Sequence, residues 1–323
     1  MMAFMGAFRT LVISLVLGGG FVLWCQSNAE NPLEEAKRLD QQGQFTKAIE
    51  EVLRIMNSRH LSDSQLSRAF VLLGYAYQEE GEFKQAQRAY ERALPLLQMH
   101  QAPSDEYAEA LESLADLYQK MGNAKAAVKL GRQALGIYES TSQHASVARA
   151  CRNLAMWELS EGRRKDGSKY LAQAIEEAKN TQDLDEDFFA AVSSTQGWLE
   201  KLAGNFTAEA DYDQRAVDLW IRKHGEEYMD TGWGYLLLGD AHIRKGEKQI
   251  GLEEIRKGLA ILERTLGYGS PKYIIGEIAY AHALDQTGAH KEAARLKHAA
   301  EERLAALYHG QCVDCSINVT ALR

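Results

Sequence analysis

Seven glycines set the frame of this chain. Gly43, Gly81, Gly122, Gly162, Gly204, Gly246 and Gly288 lie in short polar stretches between helical patterns, spaced by 38, 41, 40, 42, 42 and 42 residues. Seven residues before each stands a small residue: Ala36, Gly74, Ala115, Ala155, Gly197, Gly239 and Ala281. Five after stand Ala48, Ala86, Ala127, Gly167, Gly251 and Ala293, with Glu209 the exception in the fifth unit. Twelve after, Ala93, Ala134, Ala174, Ala216, Gly258 and Ala300 follow Ile55 of the first unit. Self-similarity at a fixed period marks a repeat architecture. Each unit reads as helix A, a turn with glycine near the left-handed conformation, and helix B. Small residues let the paired helices approach and let each pair stack on the next. Larger apolar residues such as Leu73, Tyr77, Phe83, Tyr90, Leu114, Tyr118 and Leu135 fill the gaps.

The 323 residues could form two domains or one array, and the glycine frame decides for one all-α solenoid of fourteen helices. Only 4 prolines occur, as long uninterrupted helices require. Pro95 falls inside a second helix and is expected to end or kink it. Pro103 and Pro271 fall in connections. Repeat 4 carries Gly167 beside the basic run Arg163-Arg164-Lys165, and repeat 5 shifts its small residues to Ala208 and Ala210 around Glu209. Repeats 4 to 6 are therefore expected to stack less regularly.

The pattern Leu73-Gly74, Tyr77, Gly81, Phe83, Ala86, Tyr90 and Ala93 resembles the tetratricopeptide repeat, whose usual period is about 34 residues. The longer period here has Ala216-Val217-Asp218-Leu219, His224-Gly225, Ala260 to Gly267, and Pro271. In these it is similar to the kinesin-light-chain-like class of the family. The resemblance covers Asn31 to Tyr308. It implies a right-handed superhelix with helix A lining a concave groove that takes an extended peptide or a partner helix. Groove positions then lie 13, 10 and 6 residues before each turn glycine. They select Arg68, Val71 and Tyr75 in repeat 2, Glu109, Glu112 and Asp116 in repeat 3, and Arg149, Arg152 and Met156 in repeat 4. Repeats 5 and 6 contribute Ala191, Ser194 and Trp198, then Trp233, Leu236 and Asp240. The acids of repeat 3 face the arginines of repeat 4, which reads as an ion-pair ladder. Trp198 and Trp233 read either as an apolar anchor for a peptide or as packing between repeats.

Before the array, residues 1–29 contain no acid and a single base, Arg9, and Leu11 to Trp24 is apolar apart from Ser14. A run of 14 residues suits a signal-peptide core and is short of the roughly 20 that a membrane span needs. Ser27-Asn28-Ala29 places small residues ahead of a cleavage point before Glu30. Export with cleavage is expected. The alternatives are an uncleaved anchor through residues 11–25, the one case in which a membrane is a partner, and a lipid on Cys25, which the bulky Trp24 disfavours. Residues 30–308 form the solenoid and residues 309–323 a tail.

Chemistry is sparse. There is no phosphate-binding loop, no His-Glu-x-x-His and no Gly-x-Ser-x-Gly, so no catalytic residue and no cofactor are expected. The formal charge of −8 works against a broad nucleic-acid face. His242 and His282 occupy equivalent helix A positions and recur by repetition. Cys151 reads as an apolar filler. In the tail, Cys312-Val313-Asp314-Cys315 is a Cys-x-x-Cys after His309. A haem would need His where Ser316 stands, and a closed zinc site wants a fourth ligand. A disulfide between Cys312 and Cys315, or two inert thiols, is the plainer reading. Asn205 and Asn318 open glycosylation sequons. The sequence thus points to an exported, non-enzymatic scaffold that binds a protein or peptide and no nucleic acid. Self-assembly of the array, or a metal- or thiol-dependent tail on an inert solenoid, are the alternatives, with oligomeric state left open.

Overall fold

The computed structural model describes residues 32–58, 60–98 and 104–308. Fourteen α-helices and one short 3-10 segment make up the described residues, with no strand among them. In chain order they are α1 (Glu34–Gln41), α2 (Phe45–Ser58), α3 (Asp63–Glu79), α4 (Phe83–Gln98), α5 (Asp105–Lys120), α6 (Ala124–Ser140), α7 (His144–Ser160) and α8 (Arg164–Glu177). After the 3-10 segment Ala178–Asn180 come α9 (Glu186–Ala203), α10 (Phe206–His224), α11 (Met229–Lys245), α12 (Lys248–Leu266), α13 (Pro271–Gln286) and α14 (His290–Tyr308). Odd-numbered helices are A helices and even-numbered ones B helices, seven pairs in all. No helix among the described residues is long and apolar enough to cross a membrane. The leader and the tail, with Cys25, Cys312, Cys315 and Asn318, lie outside the described residues.

All seven turn glycines have positive φ, from +71° at Gly43 to +100° at Gly246. The reason is visible in the hydrogen bonds. At every turn the residue after the glycine donates its N–H back five residues, as from Gln44 to Leu39 at 2.9 Å and from Asn123 to Tyr118 at 2.7 Å. That bond closes a left-handed helix stop which satisfies an orphan carbonyl and needs no Cβ at the glycine. Helix starts are fixed by side chains: Ser62 and Gln65 form a reciprocal capping box, and Ser104, Asn123, Asp185, Asn205 and Ser270 each accept an N–H of the first turn. Asn205 therefore earns its place at the turn conformationally.

Within each pair the small residues mark where backbones meet. A Cβ on Gly239 would lie 2.5 Å from the Gly251 carbonyl oxygen, and one on Gly74 would lie 2.5 Å from the Tyr90 ring. Repeat 6 thus packs backbone on backbone within its helix pair. Repeat 4 absorbs its departures differently. Gly167 makes room for Leu159, and Arg163 with Arg132 neutralises Glu158, which is fully buried. Cys151 is buried among the apolar residues of repeats 3 and 4, and burial pushes its thiol up to about 12. Pro95 does not end its helix: α4 runs on to Gln98, with the proline in its last turns. Pro271 opens α13 rather than lying in the connection, where its missing N–H costs nothing.

After six repeats the solenoid has come round on itself. Phe45, Ala48 and Ala76 of the first two repeats share a buried cluster with Leu262, Ile274 and Leu304 of the last two. Leu266 approaches Gly43, while Leu307, Tyr308 and Pro271 approach Gly81. The rings of Phe83 and Tyr308 stack with centroids 4.8 Å apart. The turn edge of repeats 1 and 2 therefore rests on the opposite edge of repeats 6 and 7.

Two glycine substitutions separate close approach from mere helix propensity. Gly239→Ala forces a methyl into a backbone carbonyl and is expected to cost about 2–4 kcal/mol in denaturant unfolding. Gly136→Ala, on an exposed helical site with no atom within 4 Å of the new methyl, is expected to stabilise by about 0.5–1 kcal/mol.

Candidate functional site

The closure brings opposite ends of A helices together on the concave side. Glu79 and Lys120 each stand two residues before a turn glycine, whereas Asp230 and Lys272 each stand sixteen before one. In the fold they form two ion pairs. Lys120 Nζ donates to Glu79 Oε1 and lies 3.5 Å from Asp116 Oδ2, and Lys272 Nζ donates to Asp230 Oδ1 at 2.8 Å. Burial works against the charge of Glu79, but Lys120 and Lys272 together hold its carboxyl below the usual range. Asp230 is kept ionised in the same way, burial being offset by Lys272. Asp40 has no such cation. Burial and the charge of Glu79 push it up to about 7, and its Oδ1 finds no hydrogen-bond partner among the described residues. Tyr75 is raised well above its usual value, first by Glu79 and then by burial.

Several residues selected for the groove have other work. Leu236 is fully buried in the core shared by the first and last repeats, so it offers nothing to a partner. Asp240 is also buried and accepts from Lys201 at 2.9 Å and Arg244 at 3.0 Å. The causes differ: Leu236 packs against Gly258 of α12 and Gly276 of α13, whereas Asp240 is held by Lys201 of the preceding repeat. Tyr75 packs at the seam, edge-on to Phe45. Trp233 is half-buried against that same core, the packing alternative for an aromatic at its position. The ion-pair ladder does not form as expected. Glu112 accepts from Asn153 at 2.9 Å and Tyr138 at 3.2 Å, while Arg149 lies 4.0 Å from Asp185.

Of the positions expected to line the groove, Arg68, Arg149, Arg152, Met156 and Trp198 stay outside the buried core. Arg152 is half-buried; desolvation lowers its affinity for the proton, Asp116 and Glu112 partly compensate, and its Nε finds no partner among the described residues. One guanidinium nitrogen lies 4.0 Å from Met156 Sδ. Arg68 is exposed at the rim of a cleft of 460 Å³ whose floor is Leu33, Val71, Leu72 and Leu97 and whose other rim is Asp105, Glu106 and Glu109. Burial raises Glu109, with Glu106 and Asp105 adding to the effect. His242 donates or accepts with Glu254 at 2.6 Å, and among the described residues no three of His, Cys, Asp and Glu are grouped to hold a metal ion.

The charge quartet was absent from the sequence reading, and so was a ladder of polar contacts linking like positions of successive repeats. Gln78 to Asp116 (2.8 Å) and Lys201 to Asp240 (2.9 Å) join the residue three before one glycine to the residue six before the next. The glycine frame held the signal for that ladder, since both pairs share the same offsets.

Tetratricopeptide-repeat family models match residues 67–95 and 108–143. No curated protein matches by sequence. Among solved structures, the apo form of RapI superposes with a TM-score of 0.61 at 13% identity, covering 84% of this chain and 97% of that one. A Rap protein complexed with competence and sporulation factor superposes with a TM-score of 0.59 at 16% identity, covering 87% and 82%. BtubC (BKLC) from P. vanneervenii is similar at 20% identity and a TM-score of 0.49, covering 72% and 93%. At these identities the likeness is one of fold. The fold is an all-α helical repeat solenoid, and its second and third units carry tetratricopeptide-repeat signatures.

Removing the seam's aromatic stack tests the closure. Tyr308→Ala is expected to speed amide exchange in α2–α4 and α14 about tenfold while leaving α6–α9 as they were. Unchanged exchange at both ends would show that the ends do not support each other.

Proposed function

We propose that this chain is an exported, non-enzymatic scaffold that holds a segment of a partner protein or a peptide against its concave wall. The observation that carries this reading is Arg152, a half-buried guanidinium whose Nε is unpartnered, with Met156 on its own helix and Trp198 among the groove positions. A buried donor left without an acceptor costs about 1–3 kcal/mol, and a swing of the Arg152 side chain toward an acceptor on a bound chain recovers it. Arginine paired with a peptide carbonyl or carboxylate, beside a pliable thioether and on a wall that also carries an aromatic, is a common composition for a binding hot spot. The similar Rap protein complexed with competence and sporulation factor supports a bound partner for this fold, and the lack of any catalytic motif supports a non-enzymatic role.

The test is capture from the native extracytoplasmic fraction by the mature protein, read by mass spectrometry. Arg152→Ala and Trp198→Ala are each expected to weaken retention of the same partner about tenfold or more, with helical circular dichroism unchanged. Equal retention by wild type and both variants overturns the groove. Export has its own readout: the mature N-terminus is expected to be Glu30, and an intact Met1 overturns cleavage.

A further inference from the structure

Glu209 broke the small-residue rule of the repeat, and its surroundings say why. It is 2% exposed, and Asp213, one turn further along α10, is 4% exposed. Gly197 of α9, at the position seven before the turn, gives the space that Asp213 occupies: a Cβ there would lie 2.6 Å from Asp213 Oδ1. From α9 the cluster is faced by Lys201, and from α11 by Asp240 and Arg244. Both cations bond to Asp240, at 2.9 and 3.0 Å. Glu209 Oε2 finds no hydrogen-bond partner among the described residues. Three carboxyls thus face two cations, with Glu209 and Asp213 themselves shut from solvent, and at least one proton is needed for neutrality. The group joins α9 and α10 of repeat 5 to α11 of repeat 6.

We propose that the junction of repeats 5 and 6 is a proton-operated hinge, packed while Glu209 and Asp213 hold protons and loosened when they release them. Loss of the protons leaves two neighbouring carboxylates without enough counter-charge, and water must enter between the three helices to solvate them. Repeats 6 and 7 carry one side of the seam with repeats 1 and 2, so a looser junction also relaxes closure of the concave wall. The sign follows from burial, which raises Glu209 to about 7, and Asp213 well above its usual value, burial acting first and Glu209 next. Below the ordinary carboxyl range, folded and unfolded chains are both protonated and the pair contributes no pH dependence. From there up to about 7 the folded chain keeps a proton that the unfolded chain has released, so stability falls as pH rises.

Amide exchange of the full mature chain, corrected for the intrinsic pH effect, tests this between pH 6 and 8. Wild type is expected to lose about tenfold protection in α9 to α11, with α5 and α6 steady. Glu209→Gln and Asp213→Asn should each flatten that loss. No loss in wild type, or the same loss in both variants, overturns the hinge. Asp40→Asn removes the other carboxyl raised to about 7, at the seam. A response abolished by Asp40→Asn overturns the hinge in favour of the seam; one that survives in α9 to α11 supports it even should the other variants fail to fold.

Discussion

The seam between the first two and last two repeats is the contact on which the rest of the arrangement turns. In an open solenoid each repeat touches only its neighbours, and the end units fray independently. Here Phe83 stacks on Tyr308 and Leu266 lies over Gly43, so the end units gain a second neighbour. The A helices consequently face a shared axis rather than open solvent, which is why Asp40 and Tyr75 both feel burial and the charge of Glu79. Closure in turn depends on curvature, and curvature on how closely each helix pair approaches. A small error per repeat accumulates over six repeats. The contact between Gly239 and Gly251 therefore bears on whether Tyr308 reaches Phe83 at all.

Charge gives the seam its register. Lys120 with Glu79 and Lys272 with Asp230 are partly exposed pairs, each of which adds little stability alone. Their value lies in alternation. Two neighbouring A helices present Glu79 then Lys120 at their C-terminal ends, and two others present Asp230 then Lys272 near their N-terminal ends. Sliding one edge past the other by a single repeat would set like charges together at the centre of a region where Glu79 is only 11% exposed. The apolar contacts alone would tolerate such a slip, since every repeat offers similar leucines and alanines.

The parts of the fold written in local spacing are legible in the sequence alone. The turn glycines, the small residues beside them and Cys151 as a core filler all follow from one helix pair and its neighbour. Closure is another matter: it joins residues such as Phe83 and Tyr308, more than two hundred positions apart, and no periodic signal encodes it. The groove residues fell between these cases. Offsets from the glycine frame selected Leu236 and Asp240 along with Arg68 and Arg152, because a fixed offset ignores which neighbours each position meets. Glu209 was visible as an exception, yet only burial shows that the exception is a carboxylate packed where alanine belongs.

The polar ladder explains how that carboxylate can be tolerated. At the junction of repeats 2 and 3 the rung is Gln78 donating to Asp116, a neutral donor with one acid. At the junction of repeats 5 and 6 the same rung is Lys201 donating to Asp240, which brings an extra positive charge to the same offset. Arg244 adds a second, bonded to the same Asp240. Against them α10 adds Glu209 and Asp213, two carboxyls where repeats 1 to 4 and 6 present small or apolar residues. The substitution in the ladder and the intrusion in α10 are therefore complementary but unequal, with one negative charge left over when all groups are ionised. A leftover charge on an exposed helix face would be solvated at little cost, but between three packed helices it has to be met by a proton or by water. The least regular repeat of the array is thus also the one whose packing is tied to solution conditions, and it lies immediately before the repeats that complete the seam.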